Sequence, residues 1–394
     1  MAAAAPLTLQ QCLALARDRS DALKIQSERR VQAEQRLNQA EGGIRPFVEY
    51  RYLKTFRDSD GGFYDGQAQE SKFLISQPLF YGFRRLEAIT LSKAEMKQEG
   101  YNYKTVQRDL DANVTVAFYT VVQIDADMEN IQNTVALLRD RVKDLQNRVR
   151  LGKSRESEVY AAESQIATLK AQEEKDRGDR AKALETLALY IGKNPSEITL
   201  VDGSPEVESI EPIDKYIEAV SRRSDVEAAR QAVLVQSSRL KIAKGALLPS
   251  LNLDGAWYTY RGGSYANSNW ETFVTLDFPL YQGGAARGKV NEEQSRLRET
   301  NDTVSLFVRE ATTQIRSLYK ALESSINQAA AYKDAYIKAD KSYQVQMRDY
   351  RYGLVNNLDV LQAMNDMFNT RRNMERALIQ VKSDKALLDI ATQY

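Results

Sequence analysis

The groups able to do chemistry in this 394-residue chain are almost all carboxylates: it carries 54 Asp and Glu, no His and one cysteine, Cys12. That inventory leaves no imidazole for a triad, no His/Cys cluster for a metal, no CxxC redox motif and no intrachain disulfide. Carboxylate acid–base chemistry survives, but no Gly-rich ligand loop accompanies it, so an enzyme is disfavoured and no cofactor is implied. Two carboxylates stand out by position: Glu158 and Asp359 each follow a glycine, Gly152 and Gly353, by six residues. In the plainest reading they are first-turn acids favoured by a helix macrodipole. Cys12 lies beside Leu9, Leu13 and Ala16, as a small buried hydrophobe would. Lys and Arg number 55, so the net charge is +1 and there is no basic field for nucleic acid.

The prolines show which elements can position these residues. Of eight, none falls within 79–194 or 280–394, which permits very long helices there. Apolar spacing makes them coiled. Ile131, Val135, Leu138, Val142, Leu145 and Val149 form a heptad seam, continued by Val159, Ala162, Ile166 and Leu169. Ile315, Leu318, Leu322, Ala329, Tyr332, Tyr336, Ala339 and Tyr343 form a second, carried on by Val360, Met364, Met367, Met374, Leu378 and Val381. Gly152 and Gly353 interrupt the stretches, so each reads as a helical hairpin with arms of about 40–65 residues and a tip at the glycine. Tyr332, Tyr336 and Tyr343 read as packed seam residues.

Residues 46–83 and 249–281 have another character. Val48, Tyr50 and Tyr52 alternate with Glu49 and Arg51; Leu251, Leu253 and Trp257 alternate with Asn252, Asp254 and Tyr258. Period two with aromatics predicts strands. Polar, Gly-rich breaks at Asp58 to Gly66 and Arg261 to Asn269 make each segment a β-hairpin, with arms of about ten residues, enough to cross a membrane as tilted strands. The aromatics read as an interfacial belt. No apolar run is long enough for a transmembrane helix. Met1 with Ala2 to Ala5 lacks a basic region and apolar core, so the sequence reads as a mature chain or one whose targeting segment has been removed.

Landmarks recur in order. Ser20-Asp21 returns as Ser224-Asp225, Pro46 as Pro249, Pro78 to Gly82 as Pro279 to Gly283, and Gly152 with Glu158 as Gly353 with Asp359. The chain therefore reads as a duplication, repeats 1–204 and 205–394, joined through the Pro-rich stretch from Pro195 to Pro212. Each repeat is helix, two strands, long helix, tip, long helix. Four strands cannot close a barrel in lipid, whereas three chains supply twelve. The expected fold class is mainly α with a membrane β-barrel portion.

The chain resembles the TolC-like outer-membrane factors. The resemblance is carried by Leu7-Thr8-Leu9, by Leu247-Leu248-Pro249-Ser250, by Phe278-Pro279-Leu280-Tyr281-Gln282-Gly283, and by Tyr350-Arg351-Tyr352-Gly353 followed by Leu358-Asp359-Val360-Leu361. It implies a homotrimer with a twelve-stranded barrel in the outer membrane of a Gram-negative bacterium and an α-helical tunnel in the periplasm. Such a trimer is the exit duct of a tripartite efflux pump or type I secretion system. Its implied partners are the outer-membrane lipid bilayer, a periplasmic adaptor (membrane fusion protein) and an inner-membrane pump. The same resemblance makes Leu151, Gly152 and Lys153, with Gly353, Leu354 and Val355, the adaptor-contact tips, Lys153 standing where the family is apolar. It makes Glu158, Asp359 and Tyr350 a gate, an acidic ring that favours cations. A second family acid is replaced by Gln362 and a gate arginine by Val355; we take Arg155 as the substitute. The competing expectation is a structural coiled-coil scaffold without channel activity.

Overall fold

The computed structural model describes residues 6–56, 67–207, 209–262 and 268–393. Met1–Ala5, the Asp58–Gly66 break and the centre of the Arg261–Asn269 break lie outside them. In chain order the elements are α1 (Leu9–Arg19), α2 (Asp21–Gly42), β1 (Phe47–Phe56), β2 (Gln67–Tyr81), α3 (Arg84–Arg150) and α4 (Glu156–Ile191). There follow α5 (Ile213–Glu218), α6 (Ser224–Gly245), β3 (Ser250–Arg261), β4 (Trp270–Asp277), α7 (Ala285–Arg351) and α8 (Asn357–Gln393). The fold is mainly helical with four strands, as the sequence predicts. The long arms α3 and α7 have 67 residues each, a rise of about 100 Å. No helix among the described residues is long and apolar enough to cross a membrane.

By contact the chain forms two units, Met1–Lys24 with Lys104–Arg223 and Glu310–Tyr394, and Ile25–Tyr103 with Ser224–Arg309. The first unit is helical. Its core at the hairpins gathers Leu138, Leu145, Val159, Ala162, Met364 and Met367 from the expected seams, joined by Leu361 and Phe368. Tyr336 and Tyr343 pack against it, as seam residues should. Each fully buried leucine contributes about 1.5–3 kcal/mol. Above this core lies a buried charge: Asp127 on α3 accepts from Arg372 and Arg376 of α8 at 2.9 and 2.8 Å. Arg372 also stands 3.6 Å from Asp176 of α4. The first helix is not one piece: Ser20 is extended and separates α1 from α2. A capping box between Thr8 and Gln11 starts α1, and Leu7 exchanges backbone hydrogen bonds with Thr199 and Val201.

The second unit holds one antiparallel sheet in the order β1-β2-β3-β4. β2 has 15 residues, longer than the ten expected, because it pairs on both sides; Pro78 sits where its pairing with β3 shifts register, a tolerated place for proline. On one face Tyr50, Phe73 and Trp257 stand in a row, ring centroids 5.2 and 6.3 Å apart, and all three are exposed. The opposite face is polar. Ser76 donates to Asp254 at 2.5 Å, Lys72 stacks over Tyr258, and the Tyr258 hydroxyl donates to Glu271 at 3.1 Å. Within this sheet β1 and β4 each keep an unpaired edge.

Candidate functional site

The two hairpin tips are built the same way. At the end of α3, Lys153 N–H bonds the carbonyl of Arg148 at 2.8 Å and Gly152 N–H that of Val149 at 2.9 Å. At the end of α7, Leu354 N–H bonds Asp349 at 3.0 Å and Gly353 N–H bonds Tyr350 at 3.1 Å. Each is a Schellman motif, which needs a left-handed residue after the helix. Gly152 and Gly353 supply it, with φ of 69° and 74°. A Cβ on either would meet nothing within 4 Å, so the backbone angle alone demands glycine. Around them Leu151, Leu354, Tyr352 and Leu358 are 70–75 % exposed, a concentration of bare apolar surface on short turns. Lys153 is also exposed, and Val355 is half-buried.

The two acids occupy matching positions in the first turns beyond the tips. Asp359 closes a capping box with Asn356: its N–H donates to Asn356 Oδ1 at 3.0 Å, and the Asn356 N–H donates to its carboxylate at 3.1 Å. Glu158 accepts from Ser154 Oγ at 2.6 Å. Both therefore perform the helix-start role that the macrodipole argument assigns them. No hydrogen bond or ion pair joins Glu158 to Asp359 among the described residues. Arg155 is the N-cap residue of α4, is exposed and makes no side-chain cap bond.

Tyr350 is buried. Its ring is flanked by two guanidinium groups of α3, Arg141 at 4.0 Å and Arg148 at 4.5 Å from the centroid. Arg141 also donates to Oδ1 of the buried Asn357 at 2.6 and 3.1 Å and to Asp144 at 3.2 Å. Burial disfavours the charge on Arg141, while Tyr350 and Asp144 support it. Arg141, Arg148 and Asn357 thus tie α3 to the α7–α8 turn, and none was singled out from sequence. Their available signal was the heptad step between the two arginines, which puts both on one face of α3. Beyond the tip, α3, α4 and α8 enclose a polar cavity of about 330 Å³ beside a Gln165–Asn365 amide pair. No group of side chains suited to a metal occurs among the described residues.

Comparison with known proteins agrees with this geometry. The outer membrane efflux protein family matches residues 57–193 and 216–392. The chain is 23 % identical over 390 residues to outer membrane protein TolC of Escherichia coli, covering 94 % of this chain and 78 % of that one. It is 21 % identical over 324 residues to the alkaline protease secretion protein AprF of Pseudomonas aeruginosa, covering 79 % and 67 %. The fold superposes on the outer membrane protein VceC of Vibrio cholerae with a TM-score of 0.86 at 16 % identity, covering 98 % and 95 % of the two chains. The helical hairpins and four-stranded sheet share the fold of that solved structure, and this chain belongs to the outer membrane efflux protein family.

Proposed function

We propose that this chain is one third of a passive exit duct in the outer membrane of a Gram-negative bacterium. Three copies close a twelve-stranded barrel and continue it as an α-helical tunnel in the periplasm. The family's name for efflux and a relative's name for alkaline protease secretion support both an efflux pump and a type I secretion system as the setting. The observation that carries the reading is the sheet: four strands, an exposed aromatic row and two unpaired edges. Such edges in hydrocarbon would leave backbone groups without partners, and closure on further copies satisfies them. A coiled-coil scaffold would account for the seams but not for this sheet.

In the same reading, residues 1–204 and 205–394 are two copies of one ancestral unit. The exposed tips, Leu151 to Lys153 and Gly353 to Val355, receive a periplasmic adaptor, and an inner-membrane pump supplies the free energy. The duct itself catalyses nothing. Three copies of Glu158 and Asp359 ring the inner end of the tunnel and favour cations, with Tyr350 and Arg155 completing the gate. Asp359 caps the start of α8 and Glu158 accepts from Ser154 Oγ in the first turn of α4, and neither arrangement removes the carboxylate charge from a tunnel mouth. The test is conductance of the purified protein in planar bilayers, alongside its migration as a heat-resistant trimer in detergent. Glu158→Ala with Asp359→Ala should raise conductance and abolish cation preference. Unchanged conductance and ion preference would place the gate elsewhere; a protein that is monomeric in plain buffer would end the duct reading.

A further inference from the structure

Inside this chain the two hairpins meet along β2 and β3, and the meeting ends in a close backbone crossing. Gly82 and Gly245 are both buried. A Cβ on Gly82 would lie 2.2 Å from the carbonyl oxygen of Gly245, and one on Gly245 2.3 Å from that of Gly82. Only glycine fits at either position.

The surroundings of this crossing occur twice. β1 pairs with β2 through Phe47↔Ser76 and β3 with β4 through Ser250↔Asp277, so the two hairpins match at displacements of 203 and 201 residues. Leaving α2, Gly43 N–H bonds Gln39 and Arg45 N–H bonds Gly42; leaving α6, Ala246 N–H bonds Ile242 and Leu248 N–H bonds Gly245. Gly82 and Phe83, with φ of 59° and 61°, have Gly283 and Gly284 as counterparts at 60° and 84°. Gly42 is thus the equivalent of Gly245, and Gly283 that of Gly82. Yet both are exposed, and a Cβ on either would meet nothing within 4 Å.

We propose that the missing contact forms between copies: β4 of one copy joins β1 of the next in the register by which β2 meets β3, and Gly283 docks on the next copy's Gly42. This rests on the trimeric duct reading and adds the register of its seam. Transferring the β2·β3 pairs by the same displacements sets Asp277 opposite the next copy's Arg51, Phe278 opposite Tyr50 and Tyr281 opposite Val48. The first of these replaces the Ser76–Asp254 hydrogen bond with an opposite-charge pair on facing strands, which is favourable. In the single chain Asp277 has no ion pair among the described residues, and Arg51 turns to Glu49 of its own strand at 2.7 Å. β2 runs on to Tyr81, where β3 is present to pair; β4 stops at Asp277, leaving Leu280 and Tyr281 86 % and 87 % exposed. A neighbouring β1 would extend β4 and cover both. A slip by one residue would turn the aromatic row to the wrong face, and the Gly283–Gly42 contact selects among the even registers that remain.

The test uses the full chain in detergent, with the buried Cys12 left in place. Arg51→Cys together with Asp277→Cys should oxidise to covalent dimers and trimers, because directly opposed strand residues are within disulfide reach. Arg51→Cys with Phe273→Cys, on the same face but four residues out of register, should not cross-link. Separately, Gly42→Ala should keep the parent's far-UV circular dichroism and lose its heat-resistant trimer, whereas Gly100→Ala, equally open within α3, should keep both. Cross-linking of the out-of-register pair, or a Gly42→Ala trimer as resistant as the parent, overturns the seam and leaves the duct standing. A parent chain that never forms trimers overturns both.

Discussion

Arg141 does three jobs with one guanidinium: it satisfies Asn357, faces the ring of Tyr350 and pairs with Asp144. Replacing it with Met would strand the buried Asn357 oxygen and remove one cation from the Tyr350 ring. Arg141→Met should therefore lower stability by about 2–4 kcal/mol, read as an earlier urea midpoint, with Arg141→Lys recovering only part. An unchanged midpoint would mean the tie is not holding the tip. This tie was hidden in the sequence because an arginine at heptad spacing reads as a solvated face, and Asn357 and Tyr350 lie over two hundred residues away. Glu158 and Asp359 were readable because each follows a tip glycine at the same interval. The left-handed Phe83, at φ 61°, was not, since only its counterpart Gly284 advertises that conformation.

Among the elements, the long helices could be read because heptads repeat and prolines are absent, and the seam residues nearest the tips meet in one core. The strands could be read from period two. Their lengths could not, because β2 extends only through what pairs with it on both sides. The split of α1 from α2 was likewise unreadable, resting on one extended residue, Ser20. The tips invite a test of opposite signs. Gly353→Ala forces a side chain into φ 74° with no gain in contact and should cost about 1–2 kcal/mol. Gly178→Ala, inside α4 with open space around it, should instead add about 0.5–1 kcal/mol. Thermal melts of the two proteins should move in opposite directions, and a common direction would refute the backbone explanation.

Across the whole molecule the lack of histidine shapes the response to pH. No side chain has an unperturbed pKa between 5 and 8, so stability should be flat over that range. Burial pushes the Cys12 thiol up from 9.0 to about 11, and it also raises the Tyr119 and Tyr343 phenols. The unfolded chain ionises these groups first. The thiol's contribution is therefore complete below pH 9 and is lost as the pH rises through about 11, and the phenols' contributions are complete below pH 10 and fall off above it. Urea midpoints measured from pH 5 to 11 should show a plateau and then a decline; a slope within the neutral range would contradict this. The main-chain bonds that close each Schellman turn, together with its left-handed glycine, use no side-chain atom of Leu151, Lys153, Leu354 or Val355. These four side chains can be exchanged without breaking the turn's own bonds, so under the proposed duct reading a lineage could change its adaptor by editing them while the scaffold beneath stays untouched.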